Sequence, residues 1–210
     1  MANTGLRDDE VVLFQGDSIT DAGREADATG MGWGYAALIA AWHAAAHPEL
    51  AATFVNRGVS GDRVPDLKAR WQADCLDLKP TRVSIMVGIN DVWRRYDAGD
   101  PTDLATYEAG YRDLLVRTVA TGAGIILLEP FVLPVPEDRR TWREDLDPKI
   151  AAVHRLAKEF SAILVPLDRL FATAAARRPP AFWAADGVHP TLSGHALIAR
   201  AWLDAVGAGT

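Results

Sequence analysis

Short apolar runs recur along the chain between longer stretches with helical spacing. Five of them, Val11 to Gln15, Thr53 to Asn56, Arg82 to Val87, Gly124 to Leu128 and Ala162 to Val165, are rich in Val, Ile and Leu and read as strands. Between the third and fourth runs, Leu104, Tyr107, Tyr111, Leu114, Leu115 and Val119 fall on one helical stripe. It is entered through Pro101-Thr102, with Thr102 placed to cap. Asp145 to Phe160 reads as an amphipathic helix with Ile150, Val153, His154 and Ala157 on its buried side. Ile198, Trp202 and Val206, at fourfold spacing, mark a last helix that packs on the sheet. Strands alternating with helices predict an α/β fold: a three-layer α/β/α sandwich of flavodoxin-like form around a central parallel sheet of five strands. No Ser-, Gly- and Pro-rich linker interrupts the pattern, so residues 1–210 are expected to form a single domain.

In open α/β sheets, ligands collect beyond the carboxyl ends of the strands, which makes the loops after these runs the informative positions. The first run leads into Gly16-Asp17-Ser18-Ile19-Thr20 and the second into Asn56-Arg57-Gly58-Val59-Ser60-Gly61-Asp62. The third leads into Gly88-Ile89-Asn90-Asp91. The fourth opens a long segment from Glu129 to Glu144 that holds Pro130, Pro134 and Pro136 and is stiff enough to wall a pocket. Asp186-Gly187-Val188-His189-Pro190 lies between the fifth run and the last helix.

Acyl transfer by a serine needs a base, a group that orients the base, and donors aimed at the developing oxyanion. Ser18 is the candidate nucleophile. His189, held in an extended loop by Pro190, is the candidate base, and Asp186 its partner across a tight turn at Gly187. The candidate oxyanion donors are the Ser18 N–H, the Gly61 N–H and the Asn90 side-chain amide. Asp17 reads as a capping carboxylate that supports the serine loop, and Asp21 and Asp91 as helix-start residues near the pocket.

The segments Gly-Asp-Ser-Ile-Thr-Asp, Gly-Val-Ser-Gly-Asp, Gly-Ile-Asn-Asp and Asp-Gly-Val-His-Pro together resemble the four motif blocks of the SGNH (GDSL) hydrolase family. Within that family the chain is similar to the small bacterial acetylxylan esterases, notably over residues 64–71, 83–94 and 195–201. The resemblance implies a serine esterase with Ser18 as nucleophile, Gly61 and Asn90 as oxyanion donors, His189 as base and Asp186 as its partner. It also implies no metal or organic cofactor, an acetylated xylo-oligosaccharide or other small acetylated sugar as substrate, and a tendency to form homo-oligomers. Lysophospholipase or acyl-thioesterase activity on the same fold is the alternative, and a non-catalytic flavodoxin-like binding module the alternative of another class.

The remaining features narrow the partners. A net charge of −6 argues against a broad nucleic-acid surface, and the pairs Arg94-Arg95, Arg139-Arg140 and Arg177-Arg178 read as solvated faces. No apolar stretch approaches the roughly 20 residues of a membrane span. The first residues lack the basic end and apolar core of a signal peptide, so the expected location is the cytoplasm. The one cysteine, Cys75, reads as a packing residue, which agrees with a reducing compartment.

His43 and His47 have metal-like spacing without a third ligand, and His195 reads as a buried, hydrogen-bonded histidine. Gly30 to Gly34 reads as a flexible entry to a helix. Of the seven tryptophans, Trp42, Trp71 and Trp202 are expected in the core. Trp33, Trp93 and Trp183 adjoin the motif loops, where an indole face stacks on a sugar or lines an acyl pocket, and Trp142 and Trp183 are candidate exposed aromatics for self-association.

Overall fold

The computed structural model describes residues 5–208. Five parallel strands, β1 (Val11–Gly16), β2 (Thr53–Asn56), β3 (Arg82–Met86), β4 (Gly124–Leu128) and β5 (Ile163–Val165), form one sheet in the order β2-β1-β3-β4-β5. The register sets Phe14 beside Asn56 and Ser84, and Leu127 beside Ile85 and Leu164. The five strands match the five apolar runs to within one residue. Their side chains alternate between two buried faces: Val12, Phe14, Ile126 and Leu128 enter one cluster, Leu13, Val83, Ile85, Ile125 and Leu127 the other.

The helices in chain order are α1 (Ser18–Asp21), α2 (Tyr35–Ala46), α3 (Val64–Asp74), α4 (Ile89–Asp97), α5 (Leu104–Val119), α6 (Arg143–Glu159), α7 (Leu167–Ala175), α8 (Pro180–Trp183) and α9 (Leu192–Ala205). Through Tyr35, Ile39, Ile198 and Trp202, α2 and α9 cover the Phe14 face, and α7 joins them through Leu167 and Phe171. The opposite face is covered by α3, α5 and α6, whose Leu67, Trp71, Tyr111, Leu115, Val153 and Leu156 are buried. This is the expected α/β/α sandwich. Trp202 anchors the last helix directly, donating its Nε1–H to the buried Ser84 Oγ on β3 at 3.0 Å. Trp71 does the same within the other layer, donating to Thr118 Oγ1 at 3.2 Å.

Several local expectations are corrected. Thr102 does not cap α5: Asp103 does, accepting the Thr106 N–H at 2.9 Å, and Thr102 is buried against the Asp91 carboxyl. Leu104 and Val119, the two ends of the α5 stripe, are exposed. On α6, Val153 and Ala157 are buried, but His154 turns outward to pair with Glu129. Trp42 is 60% exposed. The sequence of α2 explains this: alanines around most of the helix remove the polar–apolar contrast by which a buried side is recognised. Conversely Trp142 is buried, which removes it as a surface for self-association. Cys75, buried at the end of α3, packs as expected. Among the described residues, no helix is long and apolar enough to cross a membrane.

Candidate active site

The motif loops meet at the carboxyl edge of the sheet. As β1 ends, Asp17 caps α1 by accepting the Ile19 N–H on Oδ1 at 3.0 Å, which leaves Ser18 as the first helical residue. Ser18 Oγ lies 2.9 Å from His189 Nε2, and His189 Nδ1 lies 2.7 Å from Asp186 Oδ2. A carboxylate can only accept, so the ring proton belongs on Nδ1, and Nε2 accepts the Ser18 hydroxyl proton. Burial acts to raise the Asp186 carboxyl. The ring of His189 and the N–H groups of His189 and Val188 outweigh it, holding the group below the usual carboxylate value.

Asp186 and His189 reach this geometry through a tight turn. Gly187 has φ +82°, and a Cβ there would sit 2.4 Å from the Leu133 carbonyl oxygen, so glycine is required both by conformation and by space. The Leu133 N–H donates to the Gly187 carbonyl at 2.8 Å, so the segment after β4 braces the turn from behind. A bridge between Ala184 and Pro190 pinches the base of the loop.

Asn90, in the first turn of α4, is buried and donates one Nδ2 hydrogen to the Asp62 carbonyl at 3.1 Å, which brings it beside Gly61. Gly61 has φ +89°, with open space where a side chain would project. The second Nδ2 hydrogen of Asn90 remains available. Asp91 accepts from the Val64 N–H and is buried, as a first-turn residue of α4. Asp21 closes α1 instead of starting a helix, and holds Ser60 Oγ at 2.7 Å.

Two buried carboxyls lie under this surface. Burial pushes Asp17 up to about 7, with the charges of Asp91 and Asp62 adding to it, and pushes Asp91 up to about 6. His195 accepts the Tyr35 N–H on Nδ1 at 3.1 Å and is pushed down to about 4, by burial first and by His189 second. It is hydrogen-bonded, as expected. The 30–34 segment is not loose: Asp27 accepts from Met31 and Gly32, and Asn56 donates to the Met31 carbonyl.

The three tryptophans differ. Trp93 is brought to within 5.9 Å of the His189 ring, centroid to centroid. Trp183 is half-buried in α8 just before the Asp186 loop, its Nε1 without a protein partner. Trp33 is exposed and lies over Gly23 beside α1.

Residue-by-residue pattern reading missed three residues. Arg70 on α3 donates to Asp62 Oδ2 (2.7 Å), Gln15 Oε1 (2.9 Å), Asp74 Oδ2 (3.3 Å) and the Gly16 carbonyl (3.3 Å), tying the end of β1 to the Gly61-Asp62 loop. Asn56 donates to the Thr20 carbonyl at 2.6 Å. Arg139, expected on a solvated face, is half-buried against Trp93 and Trp142. Acidic neighbours at Asp62 and Asp74 were the one sequence signal for Arg70. For Arg139 the one local signal was Trp142 three residues on. Among the described residues, no group of three His, Cys, Asp or Glu side chains is placed to hold a metal ion.

Residues 14–197 match the model of the GDSL-like Lipase/Acylhydrolase family. The chain belongs to this family and is a carboxylic ester hydrolase. It is 40% identical over 207 residues to an acetylxylan esterase of Geobacillus stearothermophilus, covering 94% of each chain. A putative GDSL-like lipase from Parabacteroides merdae superposes with a TM-score of 0.92 at 35% identity, covering 98% of this chain and 99% of the other. Structures of the Geobacillus enzyme, at 38% identity, TM-scores of 0.88 to 0.90 and 96% coverage of each chain, include catalytic mutants. In these a histidine, an aspartate or a serine is replaced by alanine.

Proposed function

We propose that this chain is a serine esterase that removes O-acetyl groups from carbohydrate, with acetylated xylo-oligosaccharides as its substrate class, through a Ser-His-Asp acyl-enzyme mechanism. The observation that carries the mechanism is the continuous chain from Ser18 Oγ through His189 to Asp186, with links of 2.9 and 2.7 Å. Ser18 Oγ attacks the ester carbonyl while His189 Nε2 takes its proton. The tetrahedral oxyanion is received by the N–H groups of Ser18 and Gly61 and the free Asn90 Nδ2 hydrogen. On collapse, the bond to the leaving sugar oxygen breaks, and His189 returns its proton to that oxygen. Water, deprotonated by His189, then attacks the acetyl-serine; acetate leaves and Ser18 regains its proton. Asp186 keeps the imidazole in the required tautomer and stabilises its protonated form. No step requires a metal or organic cofactor.

The choice of an acetylated sugar rests on the 40% identity to a protein described as an acetylxylan esterase, and on indoles beside the site. Trp93 touches the His189 side, while Trp33 and Trp183 flank the α1 and Asp186 loops as sugar-facing surfaces. With Cys75 as its one cysteine, we place its work in the cytoplasm. The test is acetate release from acetylated xylose and xylobiose, set beside octanoyl esters and other acetylated sugars. Preference for the xylose acetates supports the reading. Preference for octanoyl esters replaces it with a lysophospholipase or thioesterase, and inertness towards every ester and towards serine-directed phosphonates replaces it with a binding module.

A further inference from the structure

Arg139 lies in the segment between β4 and α6, and its guanidinium carbon is 4.4 Å from the ring centroid of Trp93 and 4.4 Å from that of Trp142. The two indoles are 5.4 Å apart at 55°, so the cation is held in the angle between them. Among the described residues it forms no ion pair, and its Nη1 is buried without a protein partner. The guanidinium is half-buried, with the negative charges of Asp186 and Asp138 acting on it from beyond ion-pair distance, and the two tryptophan rings supply the close contact.

Each jaw of this clamp is fixed at its far side. Trp142 stacks on Tyr96, 5.3 Å away at 10°, and Tyr96 donates its hydroxyl to the Thr141 carbonyl at 3.0 Å. Trp93 lies against the His189 ring. The Arg139 Cδ is 3.3 Å from where a Cβ on Gly187 would stand, so its stem packs on the turn joining Asp186 to His189. One arginine therefore touches both supports of the imidazole: the indole beside the ring and the turn that carries it.

We propose that Arg139 is a positioning residue for acyl transfer, which clamps Trp93 against His189 and backs the Gly187 turn so that the imidazole stays aimed at Ser18. This rests on the Ser18–His189–Asp186 reading above. For an aryl acetate, which does not draw on the sugar-facing indoles, an imidazole free to swing out of line costs attack by Ser18 and not binding, so the loss falls on kcat with little effect on KM.

The test uses Arg139→Met, Arg139→Lys and Trp142→Phe, assayed with an aryl acetate and with a serine-directed phosphonate. Arg139→Met is expected to lower kcat about tenfold with KM within about twofold, and to slow phosphonylation of Ser18 by a similar factor. Arg139→Lys keeps a cation between the rings and recovers most of the loss. Trp142→Phe, which preserves a ring in the core, is expected to lower kcat about threefold with KM unchanged, and gives the answer if Arg139→Met does not fold. The proposal is overturned if Arg139→Met turns over like the wild type, if KM rises as much as kcat falls, or if Lys is no better than Met. Ser18→Ala is run alongside: turnover persisting there refutes the triad reading itself, a result separate from any outcome at Arg139.

Discussion

Asp17, the residue before the proposed nucleophile, is 1% exposed; its Oδ1 accepts the Ile19 N–H and its Oδ2 is buried without a partner. Burial lifts its carboxyl from the ordinary 3.8 to about 7. Between these values the folded chain holds a proton that the unfolded chain has lost, so stability falls as pH rises through that window and levels off above about 7. The gap of roughly three pH units, at about 1.4 kcal/mol each, makes the whole effect about 4 kcal/mol, of which about 3 kcal/mol falls between pH 5 and pH 8. Asp17→Asn removes the titration but keeps an oxygen to accept from Ile19. Any fixed cost of the amide is the same at both pH values, and Asp91, also lifted by burial, titrates in both proteins. Urea unfolding of wild type and variant at the two pH values should show the variant gaining about 3 kcal/mol relative to wild type on going from pH 5 to pH 8. A difference independent of pH would refute the reasoning, because it would mean that Asp17 ionises in the fold as it does in water.

Gly187→Ala places a Cβ 2.4 Å from the Leu133 carbonyl in a backbone with φ +82°. It should cost about 1–3 kcal/mol in thermal or urea unfolding and lower kcat by more than tenfold, about the scale expected of a displaced base; wild-type kcat would contradict the role given to this turn. Arg70→Met leaves Asp62 without its 2.7 Å partner and frees the Gly61 loop from β1. Urea unfolding should show a loss of about 2–4 kcal/mol, and kcat should fall with it, whereas unchanged stability would show that Asp62 is solvated in the fold. Burial pushes the Cys75 thiol up to about 12, so thiol reagents should leave the native protein untouched and react fully in denaturant. Prompt reaction of the native protein would contradict its placement.

The three central strands β1, β3 and β4 were legible in the sequence because they are buried on both faces and read as apolar runs, while the half-exposed edge strands β2 and β5 stand out as short apolar segments. α9 was legible because Ile198, Trp202 and Val206 all face the core. Ser18, Asp186 and His189 were legible as a cluster because Ser18 opens α1 directly after β1 and the other two stand in the short loop before α9. What escaped had several causes. The exposure of Trp42 was hidden by the alanines of α2, and the outward turn of His154 by its pairing with Glu129, 25 positions away. α7 escaped although Leu167, Phe171 and Ala174 carry helical spacing, because it is only 9 residues long. Arg139 looked like a surface cation because Trp93, the ring that completes its seat, lies 46 positions away in α4, and adjacent basic residues ordinarily face water. The proposed oxyanion donors stood out only as residue types, and the Asn90 bond to the Asp62 carbonyl that seats one beside another belongs to the folded chain alone.

The most direct test of the account is to treat the protein with a serine-directed phosphonate and locate the adduct by peptide mass spectrometry, while following aryl acetate hydrolysis in the same sample. The account predicts one adduct, on Ser18, appearing in step with complete loss of activity, and no adduct or turnover in Ser18→Ala with its fold intact. An adduct elsewhere, or a Ser18→Ala protein that still hydrolyses the ester, would contradict it.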